Sequence, residues 1–239
     1  MSASRKWAWS DPRDGLTREF AGDWLVFGAP GLGRGGPHER LMHRVEQLVK
    51  APLAGMMPTR IGEQGAVEVQ WGTRWPLGDA VAAAEDQSIS PDSIAQGVIA
   101  VCASAGRALS SLAAVGLSAG GLAPHQLGVG ADGSVALDVA SGWLAATRRE
   151  ALKLSAERLY SAVDDGVLLL ELAVSMMSGG APWAELVARV LDRGRLLDPE
   201  ARRGGPRVIA RVLEELCGEG SPEQQAAHVR AAFPTLGAS

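Results

Sequence analysis

The chain has 239 residues, 46% hydrophobic and 21% charged, with a formal net charge of −4. That length can bury a substantial core, and the composition is that of a folded domain rather than a disordered chain. The negative balance leaves no basic footprint, which argues against a nucleic-acid partner. Of the 23 basic residues only Lys6, Lys50 and Lys153 are lysines, a bias that a GC-rich genome produces. Cys102 and Cys217 lie far apart in apolar helical patterns, with neither metal spacing nor a disulfide framework, and read as reduced, packed thiols. Met1 to Trp9 has basic residues but no apolar run after them, so no signal peptide is expected. The apolar stretch from Val167 to Met177 is broken by Glu171 and too short to span a bilayer. A cytoplasmic protein without membrane insertion is the expectation.

The first third is strand-like and irregular. Asp23 to Gly28 reads as a short strand, followed by a loop carrying Gly31, Gly33, Gly35 and Gly36. From Pro37, apolar Leu41, Met42, Val45, Leu48 and Val49 recur at helical spacing behind a first-turn proline. Two further strands are predicted over Met57 to Ile61 and Ala66 to Trp71, separated by a Gly62–Gly65 turn. Gly72 to Pro76 is the expected hinge. Beyond it the pattern is mainly helical. Ser90 as N-cap and Pro91 at the first position open a long apolar helix to about Leu112, stopped by Gly116 to Gly121. Leu127–Val129 and Val135–Leu137 flank Asp132-Gly133 as a hairpin. Val167 to Met177, apolar nearly all round, predicts a buried helix. Two more helices are expected over Pro182–Asp192 and about Pro206–Leu216, and a last one at Ser221, where Ser221 and Gln224 have capping-box spacing.

This order, a small strand-plus-one-helix part, a connector and a larger helical part with one hairpin, is joined by local motifs. Gly116-Leu117-Ser118-Ala119-Gly120-Gly121-Leu122-Ala123-Pro124 resembles the protein kinase catalytic loop Gly-Ile-Val-His-Arg-Asp-Leu-Lys-Pro without a gap. In the same register His125-Gln126-Leu127 falls on Ser-Asn-Ile, and Val135-Ala136-Leu137 on the strand ahead of Asp-Phe-Gly. Gly166 to Leu172 is similar to the central-helix signature Gly-Val-Leu-Leu-Tyr-Glu-Leu. Gly179 to Trp183 resembles the Gly-x-x-Pro-Phe turn after it, and Leu197 to Arg203 the Leu-Asp-Pro-x-x-Arg-Pro element. The chain thus resembles a degenerate, bacterial Ser/Thr kinase-like pseudokinase over roughly Leu77 to Leu216. The resemblance implies an α+β, protein kinase-like bilobal fold: a reduced strand-rich N-lobe over residues 1–75 and a mainly helical C-lobe over 76–239, one kinase-like domain overall.

The departures from the family pattern carry the functional expectation. Phosphoryl transfer in that family needs a carboxylate toward the substrate hydroxyl, an Asn and an Asp for magnesium, and a strand lysine on the phosphates. Here the His-Arg-Asp positions are Ala119, Gly120 and Gly121. The Asn position is Gln126, one methylene longer. The Asp-Phe-Gly register reads Val139-Ala140-Ser141; a one-residue shift places Asp138 there as the sole candidate metal ligand. A strand-end carboxylate that caps a turn is the favoured reading of Asp138. The strand expected to carry the lysine has none; Lys50 comes late in the next helix, and Glu39 and Glu46 read as its solvated face. The glycines at 31, 33, 35 and 36 precede a helix without a P-loop ending and read as a connector. Arg148 and Arg149 suggest an exposed basic pair or a phosphate contact, and Ser155-Ala156-Glu157 a faint Ala-Pro-Glu. His38, His43, His125 and His228 have no ligand-spaced partners.

The expectation is therefore a catalytically inactive pseudokinase, not an enzyme and without a cofactor, acting on protein partners as an adaptor, scaffold or allosteric regulator. Trp7, Trp9, Trp71 and Trp75 are candidate exposed anchors of such an interface, although core packing is the commoner role for any one of them. The alternative is an atypical phosphotransferase or nucleotide-binding regulator with a site rebuilt from Asp138 and Gln126. A third reading is a helical interaction domain whose kinase likeness is accidental.

Overall fold

The computed structural model describes residues 15–152 except Pro30, scattered helical positions within 165–176 and 210–215, and residues 221–237. The fold is α+β with antiparallel sheets. Strands β1 (Thr17–Ala21) and β2 (Trp24–Gly28) form a hairpin, helix α1 (Gly36–Lys50) follows, and β3 (Thr59–Ile61) and β4 (Val67–Gln70) close a four-stranded sheet ordered β1-β2-β4-β3. The two-residue period decides its faces. Leu25 opposes Val69 and Phe27 opposes Val67, all four buried, in one core with the α1 stripe Leu41, Val45 and Leu48. On the other face Arg60 lies 3.9 Å over the Trp24 ring and donates to Glu68 at 2.6 Å. The strand β1, absent from the sequence reading, shows that alternation only faintly, as Arg18 and Phe20 between exposed residues.

The expected hinge starts a second sheet. After a turn at Gly72, β5 (Trp75–Pro76) pairs with β6 (Leu127–Val129), which pairs with β7 (Val135–Leu137). The predicted Asp-Gly hairpin is present: Asp132 Oδ1 accepts the Ser134 N–H at 2.9 Å and Gly133 takes φ +81°. Between β5 and β6 lie α2 (Leu77–Asp86) and α3 (Pro91–Ala114). The Ser90 hydroxyl caps α3 by accepting the Ser93 N–H at 3.2 Å, with Pro91 in the first turn. At the other end Gly116, with φ +76°, bonds back to Ala113 and Leu117 to Leu112, a Schellman stop.

By length and composition α3 could cross a membrane, a longer apolar element than Val167–Met177; 67% of its most apolar window is buried inside the protein. Its small residues let other helices come close. A Cβ on Gly97 would meet Ala232 and Phe233, and one on Gly106 would meet Ala210 and Leu169. Described positions of the predicted 167–177 helix are helical, with Leu169, Leu172 and Ala173 buried. The predicted Pro182–Asp192 helix, the motifs at 155–157, 179–183 and 197–203, and Cys217 lie outside the described residues; Cys102 is buried in the core, as its apolar pattern predicts.

Helix α4 (Val139–Ala151) follows β7 directly and runs beside α1, joined by an Arg40–Glu150 ion pair of 2.6 Å. The C-terminal helix α5 (Pro222–Ala232) is capped by Ser221, whose hydroxyl accepts the Gln224 N–H at 3.2 Å. It packs on α3 through Val229, Ala232 and Phe233. Arg107 of α3 reaches Ser104, Glu214 and Gln225, tying three helical segments together. The hairpin tip is pressed on the same helix: a Cβ on Gly133 would fall on the Ala226 carbonyl, and Arg230 donates to the Asp132 carbonyl at 2.8 Å.

Gly133→Ala therefore combines a left-handed backbone with a backbone collision and should cost about 1–3 kcal/mol, read from urea unfolding midpoints. Gly22→Ala provides the comparison, because Gly22 has φ +65° but open space around it. The loss at Gly133 should clearly exceed that at Gly22; equal losses would remove the packing account.

Candidate functional site

The segment from the end of α3 to the start of α4 gathers the residues that the sequence singles out. It is built by satisfying its own buried backbone. The Ala119 N–H donates to Asp165 Oδ2 at 2.7 Å, so a carboxylate from a buried helical position grips the loop where the catalytic His is expected. The Ser118 carbonyl accepts the Trp143 indole N–H from α4 at 2.7 Å. Gly120 (φ +72°) and Gly121 (φ +149°) follow, conformations that a side chain rarely adopts. Gly121 places no functional group at the base position.

Gln126, in the 3-10 turn Pro124–Gln126, is buried and its amide is committed at both ends. Its Oε1 accepts the Ala123 N–H at 2.7 Å, and its Nε2 donates to the Asp138 carbonyl at 3.1 Å. The Asp138 N–H returns to the Gln126 carbonyl at 2.8 Å. The extra methylene that departs from Asn is what lets one side chain span the loop and the end of β7. Gly142 leaves the room, because a Cβ there would fall on Gln126 Nε2.

Asp138 is 1% exposed and is the N-cap of α4, its Oδ1 accepting the Ser141 N–H at 2.9 Å. Val139 opens that helix and is buried. Of the two readings of Asp138, the capping one matches its geometry. The helix over Val139–Ala151 replaces the loop that an Asp-Phe-Gly register at residues 139–141 implies. Asp138 followed by Trp143, Leu144 and Thr147 on one buried side is the signal that could have found it. Burial raises the Asp138 carboxyl above its ordinary range; the Ser141 N–H and hydroxyl, the Trp71 indole and the more distant Arg18 charge oppose that shift. Oδ1 is thereby committed to the helix cap, and burial seals the carboxyl from solvent.

The remaining candidates do not converge here. No lysine lies in β2, and Lys50 sits exposed at the end of α1, 3.7 Å from Glu46. Glu39 and Glu46 are exposed, as the solvated-face reading predicts. Gly35 stands at the N-cap of α1, so the glycine loop leads into that helix. Arg148 and Arg149 lie in the last turn of α4, partly buried rather than fully exposed. Trp71 is completely buried, which removes it as an exposed anchor; Trp75 is partly buried against the core, and Trp7 and Trp9 lie outside the described residues. Among the described residues no three His, Cys, Asp or Glu side chains are grouped to hold a metal.

The committed side chains make the site testable by stability. Asp138 binds its proton more tightly folded than unfolded, so stability falls as pH rises from about 4, the unfolded carboxylate value, through its raised folded value. Asp138→Asn should flatten that decline in urea midpoints measured from pH 4 to 8; an unchanged slope would assign it elsewhere, for instance to Asp79, also raised by burial. Gln126→Asn, the residue a magnesium-binding loop carries, is too short to serve both backbone partners. It should destabilise by about 1–3 kcal/mol; a neutral result in the same assay would show that the two bonds are dispensable. Comparison with family models, with curated proteins and with solved structures finds no significant match to this chain.

Proposed function

We propose that this chain is a catalytically inactive member of the protein kinase-like class, with a strand-rich and a helical lobe, that works by binding other proteins as an adaptor, scaffold or allosteric partner. One observation carries it: the side chains at the expected magnesium positions make structural contacts, Asp138 buried as the cap of α4 through Oδ1 and Gln126 spanning two backbone partners. Phosphoryl transfer is positioning and charge neutralisation by a base, a metal clamp and a phosphate-binding cation. Gly121 supplies no base, β2 no lysine, and the carboxylate nearest the role is sealed from solvent.

The kinase-like part of the reading is supported by element order: an antiparallel sheet with one helix inserted before its last two strands, a short connector, a long buried helix, a glycine loop and a hairpin ending at Asp138. A site rebuilt from Asp138 and Gln126 fits poorly, since both residues are at most 3% exposed, the Gln126 amide is bonded at both ends and Asp138 Oδ1 accepts the Ser141 N–H.

Thermal unfolding with ATP and magnesium tests the proposal. Binding at about 100 times Kd would stabilise the fold by about 2.7 kcal/mol, several degrees for a chain of this size. No metal-dependent shift is expected, and a saturable one that magnesium removal abolishes would sink the inactive reading.

A further inference from the structure

Helix α4 is anchored unevenly. Val139, Trp143, Leu144 and Thr147 are buried behind the Asp138 cap, whereas its last turn buries nothing, and Glu150 and the C-cap residue Leu152 are exposed. That end nevertheless reaches three separate segments of the N-terminal part. The Arg148 guanidinium fills the space that a Cβ on Gly15 would need, and a Cβ on Gly31 would lie 3.2 Å from Leu152 Cδ2. Arg40 of α1 donates to Glu150 at 2.6 Å, across 110 positions of sequence. Gly15 precedes β1 and Gly31 follows β2, both at positive φ, so the two glycines mark the open end of that hairpin. The ion pair has an unusual placement. Glu150 sits in the last turn of α4 and Arg40 near the start of α1, so each has the sign that its own helix dipole disfavours. Each charge is placed for the other helix. α1 also begins at Gly35 without a side-chain cap, so its first turn has little of its own to hold it.

We propose that the end of α4 is a clasp: it closes the base of the β1–β2 hairpin, the glycine loop and the start of α1 onto one another, and it opens without unfolding the rest of the protein. Its contacts are of the kind that release locally. The side chains of Arg40 and Glu150 are 58% and 47% exposed, and Leu152 is 37% exposed. Exposed pairs hold weakly, and segments with few buried contacts open before the core does. The buried turns of α4 and the interior helix α3 have no such freedom. Charge governs the opening, since the pair is the contact that links α1 to this end of α4 by a hydrogen bond. An event at residues 148–152 is thereby felt at the glycine loop and the first turn of α1. The inference uses nothing from Asp138 or Gln126 and stands or falls independently of the inactive-site reading.

The experiment is amide hydrogen exchange of the full chain, followed by NMR, in the unaltered protein, in Glu150→Lys and in Glu46→Lys. The last reverses a charge of α1 that pairs with Lys50 instead of α4. The amides to follow are those of Leu32 and Glu39, which donate to the Ala29 and Gly35 carbonyls. Glu150→Lys should speed their exchange about two- to tenfold and leave the buried amides of α3 unchanged; Glu46→Lys should leave both sets unchanged. Raising salt from about 50 mM to about 500 mM should quicken exchange at Leu32 and Glu39 in the unaltered protein, where it screens an attraction, and slow it in Glu150→Lys, where it screens a repulsion. Unchanged exchange at Leu32 and Glu39 in Glu150→Lys, an equal rise in α3, an equal rise in Glu46→Lys, or a salt response of one sign in both proteins overturns the clasp. If Glu150→Lys does not fold, salt on the unaltered protein decides: quickening at Leu32 and Glu39 without α3 supports the clasp, and no quickening overturns it.

Discussion

The two sheets meet at a position that has no side chain. Gly128 of β6 lies against the Met57 methyl, the Trp71 ring and the Arg74 stem, so close that a Cβ would displace them. Beside it the backbone of the first part is stitched to the hairpin. Met57 donates to the Leu137 carbonyl at 2.9 Å, and Leu137 donates to the Gly55 carbonyl at 2.8 Å. Gly55 is itself tight, a Cβ there lying 2.8 Å from that of Ala108 on α3. Everything downstream takes its place from this seam. Leu137 fixes the end of β7, Asp138 is thereby held in the interior, and α4 must start where that carboxylate can cap it. The helix then runs back along α1, where Arg40 meets Glu150. That pair is exposed and adds little by itself; the direction of α4 is set by the buried cap and by Trp143.

The loop between α3 and β6 shows how a segment without regular structure is buried at tolerable cost. An orphaned buried amide or carbonyl costs about 1–3 kcal/mol, so three side chains reach in to meet the loop: Asp165 takes the Ala119 N–H, Trp143 gives to the Ser118 carbonyl, and Gln126 serves Ala123 and Asp138. Glycine at 120 and 121 permits the backbone to turn where side chains would strain it.

The helical side depends on closeness of a different kind. α3 is rich in alanine and has glycine at 97 and 106, so its neighbours pack nearly backbone to backbone, with dispersion contacts summed over a long interface. The Arg107 network with Ser104, Glu214 and Gln225 fixes the register of that packing, and α5 in turn braces the hairpin tip through Ala226 and Arg230. The hairpin that delivers Asp138 is therefore held at both ends, by the seam at Gly128 and by the C-terminal helix.

Local patterns alone determined much of this. Ser90-Pro91 and Ser221 announce their helices because capping is a contact within one turn, the α1 stripe is a matter of 3.6-residue spacing, and Asp132-Gly133 makes its hairpin through φ values that neighbouring residues dictate. The α+β class was legible for the same reason, whereas β1, the strand at Trp75–Pro76 and α4 were not. What only the tertiary structure decided lies between distant segments: that Asp165 grips Ala119, 46 positions earlier; that Gln126 spans to Asp138; and that Trp71, read as a candidate surface anchor, is completely enclosed at the seam. Asp138 shows the division most sharply. The sequence offered it both as a ligand and as a cap. Burial at the end of β7, among hydrogen-bond donors, made it a cap, because no pattern of neighbours along the chain tells a carboxylate what will surround it.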